Sequence, residues 1–309
     1  MALETRRIPL STGVELDVTV GGAADGDPIL FLHGFPESRR TWRHQLADLG
    51  PHHPVAAPDQ RGYAGSSKPP READYRIDRL VADVLALADA LGWGRITLAG
   101  HDWGGAVAWA TALGHPDRVA RLVIANAPHP LIFQRSLFDD PAQRAASQYI
   151  NRFRMPAGDV LLPAAAQVTG AVAGWETLFA KIFEGHADLG KLTAEDRAQT
   201  IAEWRQPGAM AAMLNWYRAS PIVVPRPDED PPRPPWLDAP FPSLAVSTLV
   251  VWGMKDTALL PVQLEGLDEL VSDLTLVPVP EAGHFVTWEA PAAVTAAIRD
   301  FLVARPISA

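Results

Sequence analysis

Hydrophobic residues in this chain recur at two different periods, and the switches between them mark out the elements. Val14, Leu16, Val18 and Val20 alternate with Glu15, Asp17 and Thr19. This is the two-residue period of a half-exposed strand, expected near a sheet edge and closed by Gly21-Gly22. Pro28 to Leu32 is continuously apolar, as a central strand covered on both faces must be, and Val55 to Pro58 makes a weaker strand. Ile77, Leu80, Val84, Leu87 and Leu91 recur every three or four residues, which predicts an amphipathic helix over 77–92 ended by Gly92. Ile96, Leu98 and Ala99 form another strand, a small-residue helix begins at Gly104, and Val119 to Asn126 supplies the next strand. Strand alternating with helix predicts a parallel sheet with right-handed crossovers.

The alternation stops between about Pro128 and Pro240. Strand signals fade there, and helix formers carry large apolar side chains such as Phe133, Phe153, Trp175, Phe183, Met213 and Trp216. The exit, from Pro225 to Pro235, is too rich in proline for a helix, and its charges keep it solvated. Regular order resumes with a buried strand at Thr248 to Gly253, a helix around 261–271, a strand at Thr275 to Val279 and a final helix from Ala292 to Val303. The expected organisation is a core of residues 1–127 and 241–309 interrupted by a helical cap of 128–240. Such a cap lies over the carboxyl ends of the strands, where open α/β sheets bind ligands.

Composition narrows the function classes. The chain has 309 residues and 48% hydrophobic content, enough for one large domain with an insertion. Its net charge, 27 minus 36, is −9, which argues against nucleic acid or an anionic membrane as partner. Absence of cysteine removes disulfides, a thiolate nucleophile and cysteine-based metal sites. The first ten residues lack the apolar core of a secretory signal, and no run approaches a membrane span, so a cytoplasmic enzyme is expected. His33, His101, His52 and His53 show no ligand spacing with a further carboxylate, and neither metal nor cofactor is expected.

Candidate chemistry centres on Gly100-His101-Asp102-Trp103-Gly104-Gly105, between the strand at Ile96 and the small-residue helix. Small residues two places before and after Asp102 allow a sharp turn, the nucleophile elbow of an α/β-hydrolase with Asp in place of Ser. Aspartate also suits a plain turn or a helix N-cap. As a nucleophile it favours saturated carbon, because attack there gives an ordinary ester whereas attack on an acyl carbon gives an unstable anhydride. His33-Gly34-Phe35-Pro36 follows the strand at Pro28, and the amides of Phe35 and Trp103 together make a two-donor oxyanion hole. Asp102, Asp256 and His284 follow successive sheet elements in the order nucleophile, acid, histidine. Arg61-Gly62-Tyr63 reads as a structural loop braced by Asp59 and Arg61. Candidate substrate-binding residues are His33, Phe35, Trp103, Phe153, Trp216 and Phe285, the inward apolar ones lining an oily pocket.

The elbow, the His33-Gly34-Phe35-Pro36 loop, Arg61-Gly62-Tyr63, Asp256 and Gly283-His284 resemble the α/β-hydrolase-fold epoxide hydrolases over nearly the whole chain. The resemblance implies an α/β-hydrolase fold, with a mostly parallel eight-stranded sheet flanked by helices and an inserted helical cap. It also implies two cap tyrosines that hydrogen-bond the epoxide oxygen. Of four tyrosines only Tyr149 and Tyr217 fall in the expected cap, and Asn215-Trp216-Tyr217-Arg218 matches the family segment more closely than Ser147-Gln148-Tyr149 does. The expected partners are a small apolar epoxide and water. Haloalkane dehalogenases share Asp102-Trp103, but many place Asn where Phe35 stands. Fluoroacetate dehalogenases need arginines where this chain has Trp103 and Ala106. A non-catalytic binding protein on the same fold is the remaining alternative.

Overall fold

The computed structural model describes residues 2–155 and 172–307; of the expected cap, residues 156–171 lie outside the described residues. Central strands here are buried at nearly every position because both faces are covered. In β3 (Ile29–Leu32), Leu30 and Leu32 join one apolar cluster while Ile29 and Phe31 join the other. The first cluster takes in Leu80, Val84 and Leu87 of a helix, Ile77–Ala90, and Val107 and Ala108 of another, Trp103–Gly114. The second takes in Leu46 and Leu49 of Arg43–Leu49, and Val294, Ile298 and Phe301 of Pro291–Ala304.

The sheet has eight strands in the spatial order β1-β2-β4-β3-β5-β6-β7-β8. Besides β3 they are β1 (Glu4–Pro9), β2 (Glu15–Gly22), β4 (Pro54–Pro58), β5 (Ile96–His101), β6 (Val119–Ala125), β7 (Ser247–Gly253) and β8 (Leu274–Val279). The pairs β1–β2 and β2–β4 are antiparallel and the rest parallel. The alternating strand β2 is therefore second from the edge. The edge itself is β1, which is exposed almost throughout and so carries no apolar period to announce it. The single helix expected around 261–271 is instead a 3-10 turn, Pro261–Leu264, followed by the short helix Leu267–Leu270.

Register decides which loops meet. Leu32 of β3 pairs with Gly100 of β5, His101 with Ala125 of β6, Ala125 with Val251 of β7, and Gly253 with Val279 of β8. The segments that follow these strands therefore emerge side by side, carrying Phe35, Asp102, Asn126, Asp256 and His284 to one edge.

Between β6 and β7 the described residues form six α-helices: Pro130–Asp139, Pro141–Ala146, Gln148–Phe153, Val172–Phe183, Ala194–Trp204 and Ala209–Arg218. Polar contacts hold this insertion to the sheet loops. The indoles of Trp204 and Trp216 donate to the carbonyls of Pro36 (2.8 Å) and Arg61 (3.0 Å), and Asp196 pairs with Arg40 and Arg43. Asp59 pairs with Arg39 and Arg61 with Asp83, so the loop over 59–63 is braced from two sides. No helix among the described residues is long and apolar enough to cross a membrane.

Candidate active site

Asp102 sits between β5 and the helix Trp103–Gly114 at φ +49°, ψ −121°, a conformation costing about 1–3 kcal/mol that persists only where neighbours enforce it. Close packing does so here. A Cβ on Gly104 would come 2.3 Å from the Leu32 carbonyl oxygen, so only glycine lets this helix press onto β3. The turn aims the Asp102 side chain away from its own helix, and it makes no capping hydrogen bond. Its Oδ1 instead accepts the Phe35 N–H at 2.7 Å. Gly34 makes that approach possible, since a Cβ there would lie 2.4 Å from the Asp102 Cβ.

His284 closes the arrangement from the other side. Its Nε2 stands 3.6 Å from Oδ2 of Asp102 and its Nδ1 2.7 Å from Oδ2 of Asp256. Burial opposes the imidazolium, but the carboxylates of Asp256 and Asp102 outweigh it and hold the His284 pKa well above the ordinary histidine value. Asp256 is fully buried; burial favours its neutral form, yet His284 and several donors keep its pKa low. Those donors are the amides of Ala258 (2.8 Å) and Leu259 (2.9 Å) on Oδ1 and the Asn126 amide (2.8 Å) on Oδ2. Asn126 also accepts the Gly253 N–H, which fixes the turn after β7.

Behind the histidine lies a second buried group. Nδ1 of His101 is 2.8 Å from Glu37 and its Nε2 is 2.9 Å from the His284 carbonyl oxygen. Glu37 also accepts from Thr41 and from the indole of Trp288; burial pushes its pKa up, but His101 first, and then these two donors, hold it low.

A cavity of about 280 Å³ opens from Asp102. Trp103, Tyr149 and Tyr217 share its wall with Phe133, Phe241 and Leu259. Burial, and then the charge of Asp102, push both phenol pKa values well above 10, so both tyrosines stay protonated at neutral pH. The Trp103 ring meets that of Tyr217 edge to face at 5.2 Å, and the two tyrosine rings do so at 6.2 Å. Asp102, Asp256, His284, Tyr149 and Tyr217 are thus brought together.

Other candidate residues stand behind this wall. Phe35 packs on Phe153 (5.1 Å) and Tyr217 (5.2 Å), Trp216 on Tyr63 and Trp103, and Phe285 on His284 and Phe183. Phe35, Phe153, Trp216 and Phe285 are not among the cavity-lining residues. His33 is fully buried; its Nε2 accepts the Gln60 amide, and burial lowers its pKa to about 4, so it braces the loop as a neutral ring. Asn126, Glu37 and His101 were not legible as members of the site, because each is an ordinary polar residue until its distant partner is known.

A family model described as "alpha/beta hydrolase fold" matches residues 27–291. A solved structure of an epoxide hydrolase from hot-environment metagenomes is 47% identical, covers 98% of this chain and 99% of that one, and superposes with a TM-score of 0.88. Epoxide hydrolase A of Mycobacterium tuberculosis is 31% identical, with 98% of each chain covered. The chain belongs to the epoxide hydrolases of the α/β-hydrolase fold. The α/β-hydrolase superfamily protein YfhM of Bacillus subtilis is also similar, 35% identical over 94% of this chain and 96% of its own. As a hydrolase of this family, the protein carries aspartate at the elbow and the order Asp102, Asp256, His284 along the chain.

Proposed function

We propose that this hydrolase opens an apolar epoxide to a vicinal diol through a covalent ester on Asp102, with the helices between β6 and β7 serving as the cap over the reaction. The observation that carries the reading is that Asp102, Tyr149 and Tyr217 line one cavity that is otherwise almost wholly apolar. Nucleophile and proton donors thereby face the same small space.

Oδ2 of Asp102 attacks an oxirane carbon, the ring C–O bond breaks, and the departing oxygen takes a proton from Tyr149 or Tyr217. A phenol suits this task because it donates without requiring an acidic medium. Ester formation also removes the carboxylate charge that disfavours a phenolate, so the donor grows more acidic as it is needed.

The same event readies the base. With Asp102 esterified, one of the two charges holding the proton on His284 is gone, and that proton is released to restore the phenol. His284, oriented by Asp256, then takes a proton from water as its oxygen adds to Cγ of Asp102. Negative charge builds on Oδ1, where the Phe35 amide already points and the Trp103 amide begins the helix. Collapse breaks the Cγ–Oδ2 bond, Oδ2 leaves within the diol with the proton from His284, and the new carboxyl returns its proton to His284. No metal or cofactor enters these steps.

Single turnover in heavy-oxygen water tests the scheme. Repeated cycles put the label into the Asp102 peptide, while the first diol formed carries unlabelled Oδ2. Asp102→Ala loses both burst and turnover. Halide release from haloalkanes with epoxides inert moves the activity to dehalogenation, a reading weakened by Phe35, which stands where many haloalkane dehalogenases place Asn. Binding without product favours a sensor.

A further inference from the structure

One buried glutamine of the insertion reaches both the turn that carries Asp256 and the helix that carries Tyr149. Gln143 stands in the helix Pro141–Ala146, and its N–H is given at 2.7 Å to Asp140, which caps that helix. Its side chain is wholly buried. Nε2 donates to the Ala258 carbonyl at 2.9 Å, and Oε1 accepts the Leu260 N–H at 2.8 Å. This pair of backbone groups fixes which way the amide lies, because the opposite setting puts donor on donor and acceptor on acceptor. Nε2 also donates to Oγ of Ser147, itself wholly buried, at 2.9 Å.

The two ends of this contact belong to different parts of the chemistry. The turn over 256–260 is gripped twice, by Asp256, whose Oδ1 accepts the amides of Ala258 and Leu259, and by Gln143. Asp256 is the carboxylate on Nδ1 of His284. Ser147 closes the helix of Gln143 and opens the next, Gln148–Phe153, in which Tyr149 is the second residue. Tyr149 and Leu259 line the same cavity as Asp102. A turn of the core and a helix of the insertion, 115 positions apart in the chain, thus meet on one amide. An ionised glutamate lacks the donors for this contact, and an apolar side chain lacks donor and acceptor alike.

We propose that Gln143 is a positioning residue for both chemical steps: through Ala258 and Leu260 it sets the turn that carries Asp256, and through Ser147 the helix start that carries Tyr149. The assignment rests on the epoxide-hydrolase reading above and names the contact that holds acid and proton donor in one register. Ester formation needs the Tyr149 phenol at the departing oxygen, and ester hydrolysis needs Asp256 to hold the imidazole toward water. A displacement of either group slows its own step. Loss of the Gln143 amide therefore reaches both steps, whereas loss of the Ser147 hydroxyl reaches the first alone.

Rapid-quench kinetics with styrene oxide and 1,2-epoxyhexane resolve the two steps. Gln143→Met keeps the length and volume of the side chain, and slows ester formation and hydrolysis each by up to about 10²-fold, the cost of misplacing a reacting group by about 1 Å. Ser147→Ala slows ester formation roughly tenfold and keeps the rate of hydrolysis. Combined with Gln143→Met it adds no further loss to ester formation, because the same contact is already cut. Titration of the His284 ring by NMR moves to lower pH in Gln143→Met and stays in place in Ser147→Ala. An unchanged His284 titration in Gln143→Met overturns the hold on Asp256. Unchanged ester formation in Ser147→Ala, or equal slowing of both steps there, overturns the hold on Tyr149. Where Gln143→Met does not fold, Ser147→Ala decides by the same two outcomes. Absence of any ester on Asp102 in the wild type with both epoxides instead overturns the parent reading of the site.

Discussion

The Phe35 amide donates to Oδ1 of Asp102 at 2.7 Å, so the two oxygens of this carboxylate are unequal before any ligand arrives. Oδ1 faces a backbone donor and Oδ2 faces His284. In the proposed scheme that division assigns one oxygen to bond formation and the other to the charge that develops when the ester is hydrolysed.

Gly34 guards this contact, because a Cβ at that position would lie 2.4–2.8 Å from three atoms of the Asp102 side chain. Gly34→Ala is expected to lower kcat by about 10²–10³, the cost of losing an oxyanion donor, while the far-ultraviolet dichroism is unchanged. Rapid-quench measurement separates ester formation from hydrolysis, and the hydrolytic step carries the greater loss. Unchanged hydrolysis would remove Phe35 from the oxyanion role.

In the proposed scheme the tyrosines act earlier, as the ring opens. Tyr149→Phe and Tyr217→Phe each lower the rate of the ester-forming burst by about 10²-fold or more, the scale of general acid catalysis. A pre-steady-state burst that keeps its rate in either variant would exclude that residue as proton donor.

The elements legible in the sequence are those whose burial is uniform along their length. β3, β5 and β7 are buried at nearly every position because helices cover both faces, so their middles read as apolar runs, and the helix Ile77–Ala90 shows its period because one stripe is buried. β1 escaped notice since an exposed edge strand has no buried face to mark it. Site residues follow the same logic. Asp102 is announced by the small residues its turn requires. Glu37 and His101 lie 64 positions apart, and Asn126 and Asp256 lie 130 apart, so no local pattern joins them. Phe153 and Trp216 read as apolar residues of the insertion, but which way an apolar side chain faces depends on the packing of its helix. Both face the aromatic layer behind the cavity wall.

His284 makes the stability of the protein depend on pH in a definite direction. Its folded-state pKa is raised above an unfolded value of about 6.5, so its contribution is full below that value and lost as pH rises through the folded-state pKa. Asp102→Asn removes one of the two responsible carboxylates while keeping an acceptor for the Phe35 amide. Titration of the His284 ring by NMR is expected to give a lower pKa in this variant. Its deficit in thermal midpoint is widest near pH 5–6.5 and narrows as pH rises. An unchanged imidazole pKa would show that Asp102 does not hold the proton.

Glu289 joins the insertion to the loop that carries His284. Its carboxylate accepts the N–H of Gly283, immediately before His284, and the N–H of Asp188 in the loop after the helix Val172–Phe183 at 3.3 Å. That same loop is held to the Asp256 side of the site, because Thr257 donates to the Gly185 carbonyl and pairs with His186 at 2.8 Å. Glu289→Ala leaves both amides without their acceptor, which costs about 1–3 kcal/mol. Because the contact positions the histidine loop and not the nucleophile, ester formation keeps its rate while hydrolysis slows, and the ester accumulates on Asp102. Hydrogen exchange is expected to quicken in residues 185–191 and 282–285 and to stay unchanged in β3 and β5. A variant in which both chemical steps slow together would mean that Glu289 supports the site as a whole and not the histidine in particular.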